Sequence, residues 1–501
     1  IKFSFSFKIS TSLYLTVLKI VQQLTMASQN KKTKQEIHVL LVAFSAQGHL
    51  NPLLRLGKSL LTKGLNVTLA TTELVYHRVF KPSSTTSTTV PTTFTTNGIN
   101  ILFFSDGFDI SQGQKKVDDY MELIAKFGPI SLTNLIKNNF INSSKKLACI
   151  INNPFVPWVT KVASEFNIPC ACLWIQPCTL YSIYYRFYNN FNNFPTLENP
   201  EIDVELPGLP LLKPQDLPSF ILPKNTYETL PKVLQEMFQN MKSLKWVLAN
   251  SFEELEKDVI FSMNDIFPIK AVGPLVPYSL LGRDEEEDVG IEMWKPQDSC
   301  IEWLNKKPPS SVIYISFGSL IFLSEKQIES IAKALKNSES NFLWVIKNKE
   351  GGGEKISLPK FLLEESEEKG MVVTWCPQTK VLVHPSIACF LTHCGWNSIL
   401  EAITAGTPMI GYPQWTDQPT NAKLVADVFG MGIRLKQDSD GFVESEEVER
   451  AIREMVGSEM FKKNALELKR KAREAVAHAG SSDTNIQSFV DEILASVMDH
   501  H

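Results

Sequence analysis

Residues 375–418 read WCPQTKVLVHPSIACFLTHCGWNSILEAITAGTPMIGYPQWTDQ and concentrate side chains with binding chemistry. The apolar run 388–391 has strand length, His393 follows it, and Gly395-Trp396-Asn397-Ser398 opens a helix. A helix N-terminus leaves backbone N–H groups unpaired and so offers donors to an anion. The His393 and Ser398 side chains can add hydrogen bonds to the same oxygens. Glu401, inside that helix, can accept from hydroxyls, and Trp375 offers an aromatic face. A second reactive candidate lies far upstream in Gln47-Gly48-His49-Leu50-Asn51-Pro52, just after the apolar run 38–44. Asn51 suits an N-cap and Pro52 the first helical position. His49 is therefore expected at the positive end of a helix dipole, which favours the neutral imidazole, a form able to take a proton.

The elements that must hold these groups follow an α/β pattern. Run 38–44, a helix to about residue 62 and the run 66–71 form a strand-helix-strand succession. Runs 148–151, 170–174 and 246–250 extend it. A second series comprises 311–316, 342–346, 371–374, 388–391 and 408–411. Continuous apolar strands alternating with helices imply buried parallel sheets. The division expected is a leader at 1–35, a first Rossmann-like domain at 36–276 and a linker at 277–297 containing the acidic run 284–288. A second Rossmann-like domain at 298–480 and a terminal helical segment at 481–501 follow. The Ser/Thr-rich stretch 83–96 is expected to be an exposed loop.

A chain of 501 residues with 44% hydrophobic side chains suffices for two domains with substantial cores. Its net charge of −4 gives no reason to expect nucleic acid or an anionic membrane as partner. The 8 cysteines form no CxxC pair and no metal-ligand spacing with histidine, so no metal is expected. Buried thiols in a reducing, cytoplasmic setting are expected instead. Residues 1–25 carry a short apolar patch, LYLTVL, too short to span a bilayer. They are expected to be upstream sequence or a non-native leader without a role in the fold, so the sequons at Asn66 and Asn142 carry little weight.

Taken together, the 375–418 segment resembles the signature box of plant family-1 UDP-sugar glycosyltransferases, and the chain resembles that family over about residues 36–497. The resemblance implies the GT-B architecture, two Rossmann-like domains facing a cleft, with the last helix crossing back to the first domain. It implies UDP-glucose as donor and no cofactor. Trp375, followed by Cys376, would stack on uracil, Gln378 would lie near the ribose, and Glu401 would accept from the ribose hydroxyls. His393, Gly395, Asn397, Ser398 and Ser319 would surround the diphosphate. Trp396, Asp417 and Gln418 would read the sugar, and Gln at the end of the box is similar to glucose-preferring members. His49 matches the family's general base. The partners implied are UDP-glucose and a small aromatic acceptor, and a monomer is expected.

One position departs from the pattern. In much of the family an Asp holds the catalytic His through its second ring nitrogen, as in triads. Here the run Cys149-Ile-Ile-Asn-Asn-Pro-Phe-Val-Pro-Trp158 puts Asn153 in its place. Asn can orient an imidazole but supplies no full charge to an imidazolium. A phenol titrates near 10, whereas a carboxylic acid near 4 is already ionised at neutral pH and needs little base. The NNPFxPW pattern, Cys172-Leu-Trp174-Ile-Gln176, Tyr184-Tyr185, the stretch 204–211 and Asp216-Leu-Pro-Ser-Phe220 resemble the branch that makes 1-O-acyl glucose esters. Its members act on indole-3-acetate, hydroxycinnamates or hydroxybenzoates. An inverting transfer to such a carboxylate is therefore expected, with glucosylation of phenolic or flavonoid hydroxyls as the alternative. Phe44, Phe104, Phe108, Phe127, Phe155, Trp174 and Tyr185 are candidates for the acceptor cleft.

Other classes fit less well. Asp438-Ser-Asp440 is a DxD, but it precedes Gly441 between a strand and a helix and reads as a polar turn. No GxGxxG follows an early strand, which argues against a dinucleotide oxidoreductase. A nucleotide-sugar-binding protein without turnover is the remaining reading that Asn153 allows.

Overall fold

The computed structural model describes residues 36–81, 90–91, 93–109, 116–283, 288–293, 297–319, 321–347, 359 and 368–498. The expected leader, residues 83–89 of the Ser/Thr-rich stretch and residues 284–287 of the acidic run lie outside the described residues.

Two sheets organise the chain. The first contains β1 (Ile37–Val42), β2 (Asn66–Thr72), β3 (Phe94–Thr96), β4 (Ile99–Phe104), β5 (Lys146–Asn152), β6 (Cys170–Trp174), β7 (Trp246–Ala249) and β8 (Lys270–Ala271), in the order β3-β4-β2-β1-β5-β6-β7-β8. The second contains β9 (Val312–Ser316), β10 (Asn341–Val345), β11 (Gly370–Val373), β12 (Ile387–Thr392), β13 (Met409–Gly411) and β14 (Gly432–Arg434), in the order β11-β10-β9-β12-β13-β14. All pairings are parallel except β3 with β4, where Phe94 faces Ile101. That edge strand corrects the expectation of a loop through residue 96. β4, which directly follows the low-complexity stretch, and the long helix Val117–Ile136 also went unread in the sequence.

Each central strand feeds two cores, which is why its sequence is apolar without alternation. Leu40 and Val42 of β1 pack with Met121, Ile124 and Leu132 of the 117–136 helix. Val39 and Leu41, pointing the other way, pack with Leu53 and Leu56 of helix α1 (Gln47–Thr62). In the second sheet Val312 and Tyr314 face one core and Ile313 and Ile315 the other.

The final helix, Ser481–Met498, is an amphipathic segment whose apolar stripe lies on the first sheet, not the second. Ile486, Phe489, Val490, Ile493 and Val497 join the core under β1 and β5. Phe489 meets the Trp246 ring edge-on at 5.2 Å, and the Trp246 indole N–H donates to Glu492 Oε2 at 2.6 Å. Lys63 pairs with Asp483 at 2.7 Å. Phe489 is 0% exposed, so Phe489→Ala is expected to cost about 3–5 kcal/mol in denaturant unfolding. A loss below about 1 kcal/mol, the size of a surface change, would mean that the helix contributes little to the fold.

Candidate active site

In both sheets the strand order reverses at one strand: β1 lies between β2 and β5, and β9 between β10 and β12. Ligands of open α/β sheets bind beyond the strand C-termini at such switch points. Here the two switch points open onto a common cleft of about 360 Å³, lined by Gly48, Asn51 and Arg55 from the first half and by Ser316, Ser319, residues 375–379, His393, residues 395–398 and Glu401 from the second. That volume is in the range of small-molecule sites.

Ser319, Trp375, Cys376, Gln378, His393, Gly395, Trp396, Asn397, Ser398 and Glu401 all border this cleft. Gly395 is the N-cap of helix α2 (Trp396–Ala405). The His393 ring is held between two glycines. A Cβ at Gly318 would stand 2.7 Å from its Nε2, and one at Gly395 only 2.4 Å away. Cys394, between His393 and Gly395, adopts a left-handed φ of 65°, a strained conformation that turns the chain from β12 into the helix. Burial pulls the His393 pKa down to about 4, against a hydrogen bond to the Ser316 backbone, and Lys347 adds to the fall. The ring is thus neutral at physiological pH. It can serve as a hydrogen-bond donor beside the open N–H groups of the helix.

Deeper in the cleft, the Gln378 amide is oriented from both ends. Its Oε1 accepts from the Tyr314 hydroxyl at 2.9 Å, while Nε2 donates to Glu401 Oε2 at 2.7 Å and to Ser398 Oγ at 3.1 Å. Glu401 is raised by burial, an effect the Gln378 bond opposes. The Cys376 thiol lies 3.3 Å from the Tyr314 hydroxyl, and the Lys347 ammonium sits 4.5 Å from the Trp375 ring centre.

Two contacts close the halves over the site. The Trp396 indole N–H donates to the Asn250 carbonyl at 2.7 Å, and Asn397 Nδ2 donates to the Gly48 carbonyl at 3.0 Å. The Trp396 N–H is therefore committed to the first half, so a sugar could meet only its ring or backbone. Asp417 and Gln418 are not brought to the described lining of this cleft. Asp417 accepts from Thr416 Oγ1 at 2.5 Å and Asn421 Nδ2 at 2.7 Å. Gln418 Oε1 accepts from the backbone N–H of Gln414 and Trp415 at 2.9 and 3.2 Å. Both side chains shape the turn that ends the box, and Ser219 N–H anchors that turn to the first half through the Thr416 carbonyl at 2.9 Å.

On the opposite wall, helix α1 starts at Gln47, earlier than the sequence suggested. Asn51 and Pro52 lie inside it and are neither N-cap nor first residue, although His49 remains in the first turn. Asn51 instead brackets the backbone of Ile291, accepting its N–H at 2.8 Å and donating to its carbonyl at 3.1 Å. One turn on, Arg55 grips Asp288 with two bonds of 3.1 Å. Residues 288–293 are thereby stitched against the cleft. Sequence reading missed these partners, although Asn51 and Arg55 stand four apart on one helix face.

His49 and Asn153 are brought together as expected. Burial lowers the His49 pKa to about 4, and Asn153 opposes the fall only weakly. Neither His49 Nδ1 nor either polar atom of the fully buried Asn153 makes a hydrogen bond of normal geometry. Phe44 and Phe155 meet the imidazole edge-on at 5.2 and 5.0 Å. Phe108 joins through Tyr120, which packs on Phe44 at 5.7 Å. Of the other aromatic candidates, Phe104 and Trp174 are core, and Phe127 is exposed. Tyr185 packs on Phe238 and Phe267.

Both site histidines take up protons more readily when unfolded, where the usual value is 6.5. Between pH 6.5 and 4 the unfolded chain binds more protons, so stability is expected to fall as pH drops through that window. Thermal melting from pH 7.5 to 4.5 would show it. A flat profile for the His49→Gln, His393→Gln double variant would assign the slope to these rings, and an unchanged slope would deny it.

A family profile described as UDP-glucoronosyl and UDP-glucosyl transferase matches residues 254–475. UDP-glycosyltransferase 84B1 of Arabidopsis thaliana is 43% identical over 468 residues, covering 92% of this chain and 98% of its own. The chain belongs to the plant family-1 UDP-glycosyltransferases. Gallate 1-beta-glucosyltransferase 84A24 of Punica granatum is 42% identical across 91% of this chain and 89% of its own. The structure of Os79 from O. sativa in complex with UDP superposes with a TM-score of 0.79 at 31% identity, covering 91% of this chain and all of that one. The two parallel-sheet halves of this UDP-glycosyltransferase are the GT-B fold. Its Asp438 spends Oδ1 on the N–H groups of Asp440 and Phe442, at 2.9 and 2.8 Å, as a turn does. Among the described residues, no helix is long and apolar enough to cross a membrane.

Proposed function

We propose that this glycosyltransferase moves glucose from UDP-glucose to the carboxylate of a small aromatic acid of the indole-3-acetate, cinnamate or benzoate type. The observation that carries the reading is the His49–Asn153 pair. With its pKa near 4 and no carboxylate at Nδ1, His49 is a poor base. Drawing a proton from a phenol titrating near 10 to such an imidazole is uphill by about 8 kcal/mol, whereas a carboxylate has no proton to lose. The carboxylate oxygen attacks C1 of the sugar, the bond from C1 to the phosphate oxygen breaks, and UDP leaves with the electron pair. A β-glucose ester forms with inversion. His49 positions the acceptor. The likeness to a gallate 1-beta-glucosyltransferase supports the ester product.

In this reading residues 298–480 hold the donor and 36–276 the acceptor, with the boundary at 277–297. Trp375 stacks on uracil, Gln378 and Glu401 take the ribose hydroxyls, and the α2 N-terminus with His393, Ser398 and Ser319 takes the diphosphate. No metal enters the mechanism. The eight buried free cysteines support a cytoplasmic setting, and a monomer suffices because both walls of the cleft come from one chain.

A competition assay tests the proposal. UDP-glucose is supplied with indole-3-acetate, cinnamate, a hydroxybenzoate and a flavonol, and products are separated into alkali-labile esters and alkali-stable glucosides. Esters are expected to dominate. Predominant glucosides would show that His49 activates hydroxyls without a carboxylate partner and would overturn the assignment.

A further inference from the structure

Beside His49 lies a buried polar chain that the transfer step leaves unused. Asp106 is 1% exposed. It takes the Phe108 backbone N–H on Oδ1 at 3.0 Å and the Tyr120 hydroxyl on Oδ2 at 2.8 Å. The Tyr120 hydroxyl is also in close hydrogen-bond contact with Ser45 Oγ. Burial, and then the nearby Asp106 charge, push the Tyr120 phenol well above its usual range, so it keeps its proton.

The polarity of this chain follows from valence. A carboxylate offers lone pairs and no proton. The single Tyr120 proton therefore goes to Asp106, and the Tyr120 oxygen can only accept from its other neighbours, Ser45 and Thr72. Ser45 must then donate its proton to Tyr120, which leaves Ser45 Oγ with lone pairs alone. The place where the chain ends is also significant. Ser45 directly follows Phe44, and the rings of Phe44, His49, Phe108, Tyr120 and Phe155 are each half-buried and in mutual edge contact. Ser45 itself is only 6% exposed, and an aromatic acceptor lying against these rings would meet its oxygen, a group of fixed polarity, in addition to the His49 ring.

We propose that Ser45 reads the acceptor: its oxygen accepts a hydrogen bond from a donor on the aromatic ring system, a phenolic O–H or an indole N–H. Acceptors lacking that donor leave the Ser45 lone pairs desolvated and unpaired, a penalty that a site built to hydrogen-bond its substrate imposes on the bare analogue. Asp106 and Tyr120 act through Ser45 as positioning residues and do not touch the substrate. The inference rests on the acceptor being a small aromatic acid, as proposed above, and adds which of those acids are preferred.

The test uses the full chain with UDP-glucose and three acids: 4-hydroxybenzoate, benzoate and 4-methoxybenzoate. The wild type is expected to favour the hydroxy acid over benzoate by about tenfold in kcat/KM, the worth of one hydrogen bond. Ser45→Ala should bring that ratio close to one, with turnover of benzoate equal to or above the wild-type value because the unpaired lone pairs are gone. Ser45→Thr, which keeps the hydroxyl, should retain the preference. Indole-3-acetate against its 1-methyl derivative repeats the comparison with an N–H donor. A ratio unchanged in Ser45→Ala, or lost equally in Ser45→Thr, would overturn the role of the hydroxyl. Alkali lability of the products reports separately on the ester reading, so glucosides with an intact donor preference would overturn that reading alone.

Discussion

Gly395→Ala is expected to raise the KM for UDP-glucose about a hundredfold, the effect of losing one or two hydrogen bonds to a charged group. The reason is steric and local. The added Cβ would lie 2.4 Å from His393 Nε2, a separation too short to persist, so the ring has to move. Gly395 itself has φ −65°, so the methyl group is not resisted by the backbone conformation, only by the neighbour. A displaced imidazole leaves its place beside the helix N-terminus, where the diphosphate is proposed to sit. Calorimetric titration with UDP and a thermal melt separate the effect from misfolding: weak UDP binding with a near-normal Tm is the expected pair. Normal UDP affinity would mean that the α2 N-terminus is not the phosphate site.

Asn153→Asp is expected to raise kcat/KM on phenols by ten- to a hundredfold and to change turnover of aromatic acids little. A carboxylate within reach of an imidazole typically raises its pKa by 1–3 units, and the gain in base strength matters only when a proton has to be removed. The sign in the pH profile is fixed too. The imidazolium would form at higher pH than the wild-type value near 4, so the acid limb for phenol glucosylation should move upward in pH. The variant should also be less stable at neutral and alkaline pH, because the new carboxylate stands in a position that is 0% exposed with a neutral partner. Its deficit relative to the wild type should shrink as pH falls and His49 protonates beside the carboxylate. An equal gain on acids and phenols, or a loss on phenols alone, would refute the account of this pair.

Much of the arrangement proposed to hold the donor was legible in the sequence because its parts are local. Strand β12, the His393-Cys394-Gly395 turn and helix α2 are consecutive, so residue order fixes which groups surround the helix N-terminus. The Gln378–Glu401 pairing spans two short elements of the same segment and follows from the same order. The apolar runs of β1, β5, β6, β9 and β12 were equally plain, since strands buried on both faces need no alternation.

What the tertiary structure alone decided involves partners distant in the chain. That Asn51 clasps Ile291, that Arg55 holds Asp288, and that Trp396 commits its N–H to Asn250 depend on how the two halves dock. Asp417 and Gln418 read as sugar contacts by their place in the box, yet their described bonds hold a turn: Gln418 accepts from two backbone N–H groups, and Asp417 accepts from the Thr416 and Asn421 side chains. The aromatic candidates split into core and cleft for the same reason. Phe104 and Phe44 are alike in type, and only the packing of the 117–136 helix and the turn after β1 decides which ring stays half-open. Residue order, in short range, specified the chemistry of the donor turn. The packing of the first half specified what faces His49, and the docking of the two sheets specified how the halves meet over the cleft, since side-chain identity sets what a group can bond but only the assembled core sets what lies within reach.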